Sequence, residues 1–329
     1  MVRMTRRLFL AAGSALAIAL AASPSLAKDS LTLAWSPAPQ MPQIDVALAE
    51  KLFEKAGLDV TVVTFASGRE AFEALTGGQA DLATMAELPA VTGALRDQPF
   101  KVVADLARYE GSRVIAKASS GIAAPADLAG RRIGVTLGTN TDFLLGKILS
   151  AAGVTAEIVN AAPADLVPAL LRGDVEAIVP FPNAYPAAAR ALGDDYREIR
   201  SDLYEPHYIV AASPVALDTK RDAVTRFLGA VVEADGRVAA DPDAAAEAVV
   251  ATVQGNIDAA AVRALWTDTD IGTRLDRGLV DLMVEEGAWI VARGVVNADA
   301  PSAATLRSFV EPAPLAAVAP AIVSIDTAK

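Results

Sequence analysis

"SGREAFEALTGGQADLATMAELPA" (67–90) holds a helix, a buried strand and the start of a second helix. Residues 68–78 put Phe72 and Leu75 on one apolar face, and the Gly77-Gly78 pair stops the helix. "DLATM" (81–85) is short and apolar after its aspartate, the pattern of a buried strand. Pro89 then opens a helix at a position where its missing N–H costs nothing. Helix, buried strand, helix is the repeating unit of an α/β fold, and the alternation continues in both directions.

Towards the N-terminus, "LTLAW" (31–35) reads as a strand, 42–56 as an amphipathic helix closed by Gly57, and 59–65 as the next strand. Towards the C-terminus, 100–111 and 112–117 read as strands separated by a glycine. A second block follows: strand 131–136, helix 141–152, strand 155–160, helix 164–172, strand 175–180, helix 184–191. A strand-like return spans 205–213, and the chain beyond Pro214 reads as predominantly helical. The expected fold is α/β, with mostly parallel sheets covered on both faces by helices. Lobe 1 is expected over 28–113 and 207–329, lobe 2 over 114–206, joined by a two-crossing hinge near 112–117 and 205–212.

Residues 1–27 read as an export signal: Arg3, Arg6 and Arg7, an apolar run, then Ser25 and Ala27 before a cut ahead of Lys28. "TRRLFL" is similar to a twin-arginine motif, with an ordinary secretory signal or a membrane anchor as alternatives. The formal charge of −11 grows more negative when the three arginines leave with the signal, which argues against nucleic acid or anionic lipid as partners. The chain has no cysteine, which excludes disulfides, thiolate metal sites and a cysteine nucleophile. Its single histidine, His207, excludes paired-histidine metal or catalytic sites. No metal and no cofactor are expected, and the phosphate-loop pattern is absent.

In open α/β sheets, ligands bind beyond the carboxyl ends of strands, where helix N-termini present free N–H groups. Five junctions fit: "SPAPQ" (36–40), "ASG" (66–68), "AELP" (86–89), "LGTNT" (137–141) and "PFPN" (180–183). Ser36, Ser67, Thr139, Asn140, Thr141 and Asn183 sit where a side chain either caps a helix or turns to a bound anion. Glu87 has two readings: a solvated carboxylate favoured by the helix dipole, or a group facing the cleft and pairing with a ligand cation. Trp35 and Tyr185 either stack on a planar ligand or belong to the core. His207 reads as a hinge or core residue, with a pH switch as the alternative.

Three stretches, "SGREAFEALTGGQADLATMAELPA", "ADLAGRRIGVTLGTNTDFLL" (126–145) and "PADLVPALLRGDVEAIVPFPNAYPAA" (163–188), resemble the periplasmic solute-binding proteins of the aliphatic sulfonate, taurine and nitrate ABC importers, an NMT1/THI5-like group. The resemblance covers nearly all of 30–290. It implies a type II periplasmic-binding-protein fold, and it maps the family's binding residues onto Gln40, Ser67, Gly68, Glu87, Leu88, Thr139, Asn140 and Asn183. The chain departs from the family at "VPFPNAY" (179–185), where related proteins often carry tryptophan and an acidic residue before proline. The resemblance further implies a non-enzymatic monomer in the periplasm that captures a small organic anion or zwitterion, such as a sulfonate or taurine, for a membrane permease and its ATPase. A neutral or cationic heterocycle, such as a thiamine-precursor pyrimidine, is the alternative ligand. An enzyme of the pyrimidine-synthase branch is more remote, because that chemistry uses histidine and a cysteine-rich segment, whereas this chain has no cysteine and a lone His207 away from the five junctions.

Overall fold

The computed structural model describes residues 28–253 and 257–326. The export segment expected over 1–27 lies outside the described residues. Among the described residues, eleven strands form two sheets. β1 (Asp29–Trp35), β2 (Leu58–Thr64), β3 (Leu82–Ala86), β4 (Lys101–Tyr109), β10 (His207–Ala212) and β11 (Thr269–Arg274) make a six-stranded sheet in the order β11-β4-β10-β3-β1-β2. β5 (Arg113–Lys117), β6 (Arg132–Val135), β7 (Glu157–Asn160), β8 (Ala177–Val179) and β9 (Tyr196–Arg200) make a five-stranded sheet in the order β7-β6-β8-β5-β9.

One strand inside each sheet runs against most of its fellows, and both do so for the same reason. β4 ends at the carboxyl edge of the first sheet, and the chain passes directly to β5, which pairs antiparallel with β8 and β9. β9 then hands over to β10, which pairs antiparallel with β3 and β4. A chain that leaves one sheet at its carboxyl edge and enters the other at the corresponding edge has to run backwards there. The two carboxyl edges therefore face each other across a cleft, and the passages lie between Tyr109 and Arg113 and between Arg200 and His207.

Burial follows the strand positions. β3 and β10 are central, buried on both faces, and read as continuous apolar runs. β2 and β9 are edge strands with mostly exposed residues. β9 and β11 were not expected from the sequence: "YREIR" buries only Ile199, and β11 is an edge strand with only Thr273 buried. The helix expected over 42–56 is two pieces, Pro42–Ala49 and Leu52–Lys55, broken where Lys51 adopts φ 57°. Beyond the break Leu52 and Phe53 turn inward, and Phe53 stacks on Phe227 with ring centroids 4.7 Å apart.

The helix Arg277–Ala292 packs on the helix Leu88–Leu95 of the first lobe and also touches the second. Trp289 meets Phe143 edge to face at 5.2 Å, and a Cβ on Gly146 would sit 2.6 Å from the indole Nε1. Gly146 is thus required where two helices of different lobes meet. No helix among the described residues is long and apolar enough to cross a membrane.

Candidate ligand cleft

A cavity of about 50 Å³, within a cleft of about 550 Å³ that is open to solvent, lies between the facing sheet edges. Its walls include the 36–41 loop after β1, Gly68 and Arg69 after β2, Met85 and Ala86 of β3, and Tyr208 of β10. The second lobe adds Thr139, Asn140, Phe181, Pro182 and Asn183.

The 36–41 loop is fixed from behind. Trp266 Nε1 donates to the Pro39 carbonyl at 2.6 Å, the Met41 N–H donates to the Ala38 carbonyl at 3.0 Å, and the Ser36 N–H reaches Thr84 Oγ1 at 3.4 Å. Gln40 is fully buried at the cavity, and neither its Oε1 nor its Nε2 has a hydrogen-bond partner. Gln43, three residues on, is matched at its Nε2 but not at its Oε1. Its Nε2 donates to the Leu106 carbonyl at 2.8 Å and to Asp235 Oδ1 at 2.9 Å. A buried amide with both ends unmatched costs stability and suits a ligand that completes it.

After β2, Ser67 is buried and accepts from the Glu70 N–H at 3.3 Å, so it is a helix cap and not part of the cavity lining. Gly68 presses the helix start onto β3, where a Cβ would lie 2.7 Å from Met85 Cβ. Arg69 follows, the single charged residue of the cavity lining among the described residues. Sequence reading passed over it, although a cation in the first turn of a helix, where the dipole disfavours it, was a usable signal.

In the second lobe, Thr139 Oγ1 donates to the Thr136 carbonyl at 2.7 Å and lies 3.0 Å from Thr141 Oγ1. Thr141 is engaged there and does not line the cavity. Asn140 and Asn183 do line it, and their amides have no hydrogen-bond partner among the described residues. Tyr208 is a neutral phenol, its pKa held well above 10 mainly by burial and then by the neighbouring Tyr109 and Tyr185.

Four further expected residues do not line this cavity. Trp35, the last residue of β1, is buried in the core. Tyr185 is buried with the Arg113 guanidinium 4.3 Å above its ring. Leu88 is buried and lines a neighbouring cavity instead. Glu87 follows neither of its two expected readings. It is fully buried, accepts from the Tyr204 hydroxyl at 2.5 Å and from the His207 N–H at 2.9 Å, and meets Glu286, also fully buried. Glu286 Oε1 lies 3.2 Å from the same phenol oxygen. Burial and then the Glu87 charge push the Glu286 pKa well above the carboxylate range, so Glu286 holds the proton of the pair. Burial raises Glu87 as well, against the opposing pull of His207, Glu286 and Tyr204. The cluster fastens the return passage, through Tyr204 and His207, to two helices of the first lobe. His207 Nδ1 lies 2.9 Å from Asp105 Oδ2, and Arg108 joins Asp105 to Asp276. Among the described residues no group of His, Asp and Glu could hold a metal ion.

Two α/β lobes joined by two passages, with a cavity between facing carboxyl edges, define a protein of the periplasmic-binding-protein fold. The chain belongs to the NMT1/THI5-like family, whose model matches residues 39–245. It is similar to the alkanesulfonate-binding protein SsuA from Xanthomonas axonopodis pv. citri bound to MOPS, with a TM-score of 0.72 at 17% identity, covering 86% of this chain and 98% of that one. It also resembles a cysteine-to-serine mutant of the desulfurization enzyme DSZB in complex with biphenyl-2-sulfinic acid, with a TM-score of 0.67 at 20% identity, covering 88% of this chain and 99% of that one. A Haemophilus influenzae relative named "Putative thiamine biosynthesis protein" is 25% identical over 256 residues, 75% of this chain and 81% of the relative. The fold thus serves binding proteins and an enzyme alike.

Proposed function

We propose that the protein is the solute-binding component of an ABC importer, a non-enzymatic monomer in the periplasm that captures a small organic anion of sulfonate type. The lobes 28–113 with 207–329, and 114–206, close over the ligand about the two passages, and the closed form delivers it to a permease driven by an ATPase. The observation that carries this reading is the unmatched lining of the cavity: the buried Gln40 amide and the amides of Asn140 and Asn183 offer donors, with Arg69 the only charge among the described residues. Donors, one cation and two helix N-termini suit a tetrahedral anion. The likeness to SsuA supports the same ligand class. Glu87 is occupied inside the protein, so the ligand needs no ammonium group, and taurine has no advantage over a simple alkanesulfonate.

A second reading has its own observation. The Gln40 amide offers an acceptor as well as a donor, the pairing edge of an aminopyrimidine, and the Phe181 and Tyr208 rings line the same cavity. The relative from Haemophilus influenzae supports it. Native mass spectrometry of protein exported and purified without refolding decides between them. A released sulfonate supports the first reading and a released pyrimidine the second. A protein that takes neither from a panel containing both overturns both.

A further inference from the structure

The cavity between the lobes has a neighbour. An outer cavity of about 310 Å³ opens beside it, and Arg69 and Pro89 line both. Its floor is apolar: Phe72, Leu88 and Ile290 are buried beneath it, and Trp289 stands half-buried at its wall. Most of its charged groups are matched among themselves. Arg69 faces Glu73 at 4.0 Å and Arg293 faces Asp142 at 3.3 Å, which leaves the exposed Arg96. The outer cavity therefore asks for apolar surface more than for a charged group.

The partition between the two cavities is a side chain. The Arg69 stem reaches across to the second lobe, where a Cβ on Gly138 would lie 3.2 Å from its Cδ. Arg69 is about half exposed (46%), and its only ion pair among the described residues, with Glu73, is long at 4.0 Å. Its methylenes can cover an apolar chain while its guanidinium turns to an anionic head.

We propose that the outer cavity is the tail subsite of the same ligand, and that the protein takes organic anions carrying an extended alkyl or aryl group. The head lies at Gln40 and Arg69, and the tail runs past Pro89 over Phe72, Leu88 and Ile290 to Trp289. The anionic head rests on the function proposed above; the tail subsite is judged by chain length, whatever the head.

The test is calorimetric titration of the full mature chain with methyl, butyl and octyl members of three series: alkanesulfonates, alkyltrimethylammonium salts and 1-alkanols. Each methylene buried gains roughly threefold to fourfold in affinity, so an octyl compound that buries about four of its seven additional methylenes should bind about a hundredfold more tightly than its methyl homologue. Thr92→Trp fills the outer cavity from its wall, and Val295→Trp does so from its exposed rim. In either variant that folds, the octyl-to-methyl ratio should fall at least tenfold. A chain-length gain confined to the ammonium or alcohol series, and lost in the variants, overturns the sulfonate head and supports the tail subsite. Affinity independent of chain length, a gain that survives both fillings, or no binding by any octyl compound overturns the tail subsite.

Discussion

Replacing Glu286 by glutamine should change how stability depends on pH. In the native protein Glu286 is fully buried beside Glu87 and Tyr204, and burial together with the Glu87 charge keeps it protonated well above its ordinary pKa of 4.5. The unfolded chain releases that proton above pH 4.5. This group's contribution is therefore fully present at low pH and declines as pH rises, by up to about 1.4 kcal/mol per pH unit for one proton. Glutamine has a similar shape and an N–H that can donate to Glu87 in place of the carboxyl proton, but it does not titrate. Glu286→Gln should thus gain on the parent protein by up to about 1.4 kcal/mol for each unit between pH 5 and 7. Urea unfolding at pH 5, 6 and 7, read by circular dichroism, measures the difference. The companion Glu87→Gln keeps one acceptor oxygen for two donors, the Tyr204 hydroxyl and the His207 N–H, so one charge-assisted hydrogen bond is lost, and it should cost about 2 kcal/mol at pH 7. A stability gap between parent and Glu286→Gln that stays constant with pH would refute a proton held at Glu286.

Asp45 is fully buried against Thr252, and burial pushes its pKa up from 3.8 to about 8; Asp45→Asn should therefore stabilise the protein by up to about 4 kcal/mol at pH 7 and by much less at pH 4, which melting curves at the two pH values will register. Ser67→Ala removes a helix cap and should cost about 1 kcal/mol while leaving ligand affinity unchanged, separating capping from binding in paired melting and titration experiments. Gly68→Ala drives a methyl group into Met85 and should cost about 1–3 kcal/mol while weakening ligand binding by displacing the helix start; tight binding in this variant would show that the junction does not shape the cavity.

The fold class was legible because α/β alternation is written in local periodicity: the buried strand at 82–86 and the glycine stops of its flanking helices need no tertiary information. Edge strands were less legible, since β9 and β11 carry few buried apolar residues and owe their conformation to a partner strand. The five junctions fall at the strand ends that face the cleft, but sequence could not say which way each side chain turns. Ser67 and Thr141 turn to local backbone or hydroxyl partners, and Glu87 turns to Tyr204 and Glu286, distant by more than a hundred residues. That pairing exists only once the return passage and the helix Arg277–Ala292 have met, so no local pattern announces it. Arg69 was legible in principle, as a cation set against a helix dipole.

The central claim is that the buried Gln40 amide is reserved for a ligand, and Gln40→Met tests it most directly by keeping the side-chain length and removing both polar atoms. With the ligand identified by mass spectrometry, calorimetry should show affinity falling by about tenfold to a hundredfold, the loss of one or two hydrogen bonds. The ligand-free variant should melt at the same temperature as the parent or higher, because a buried unmatched amide has been removed. Unchanged affinity together with a lower melting temperature would contradict the account and make Gln40 a structural residue.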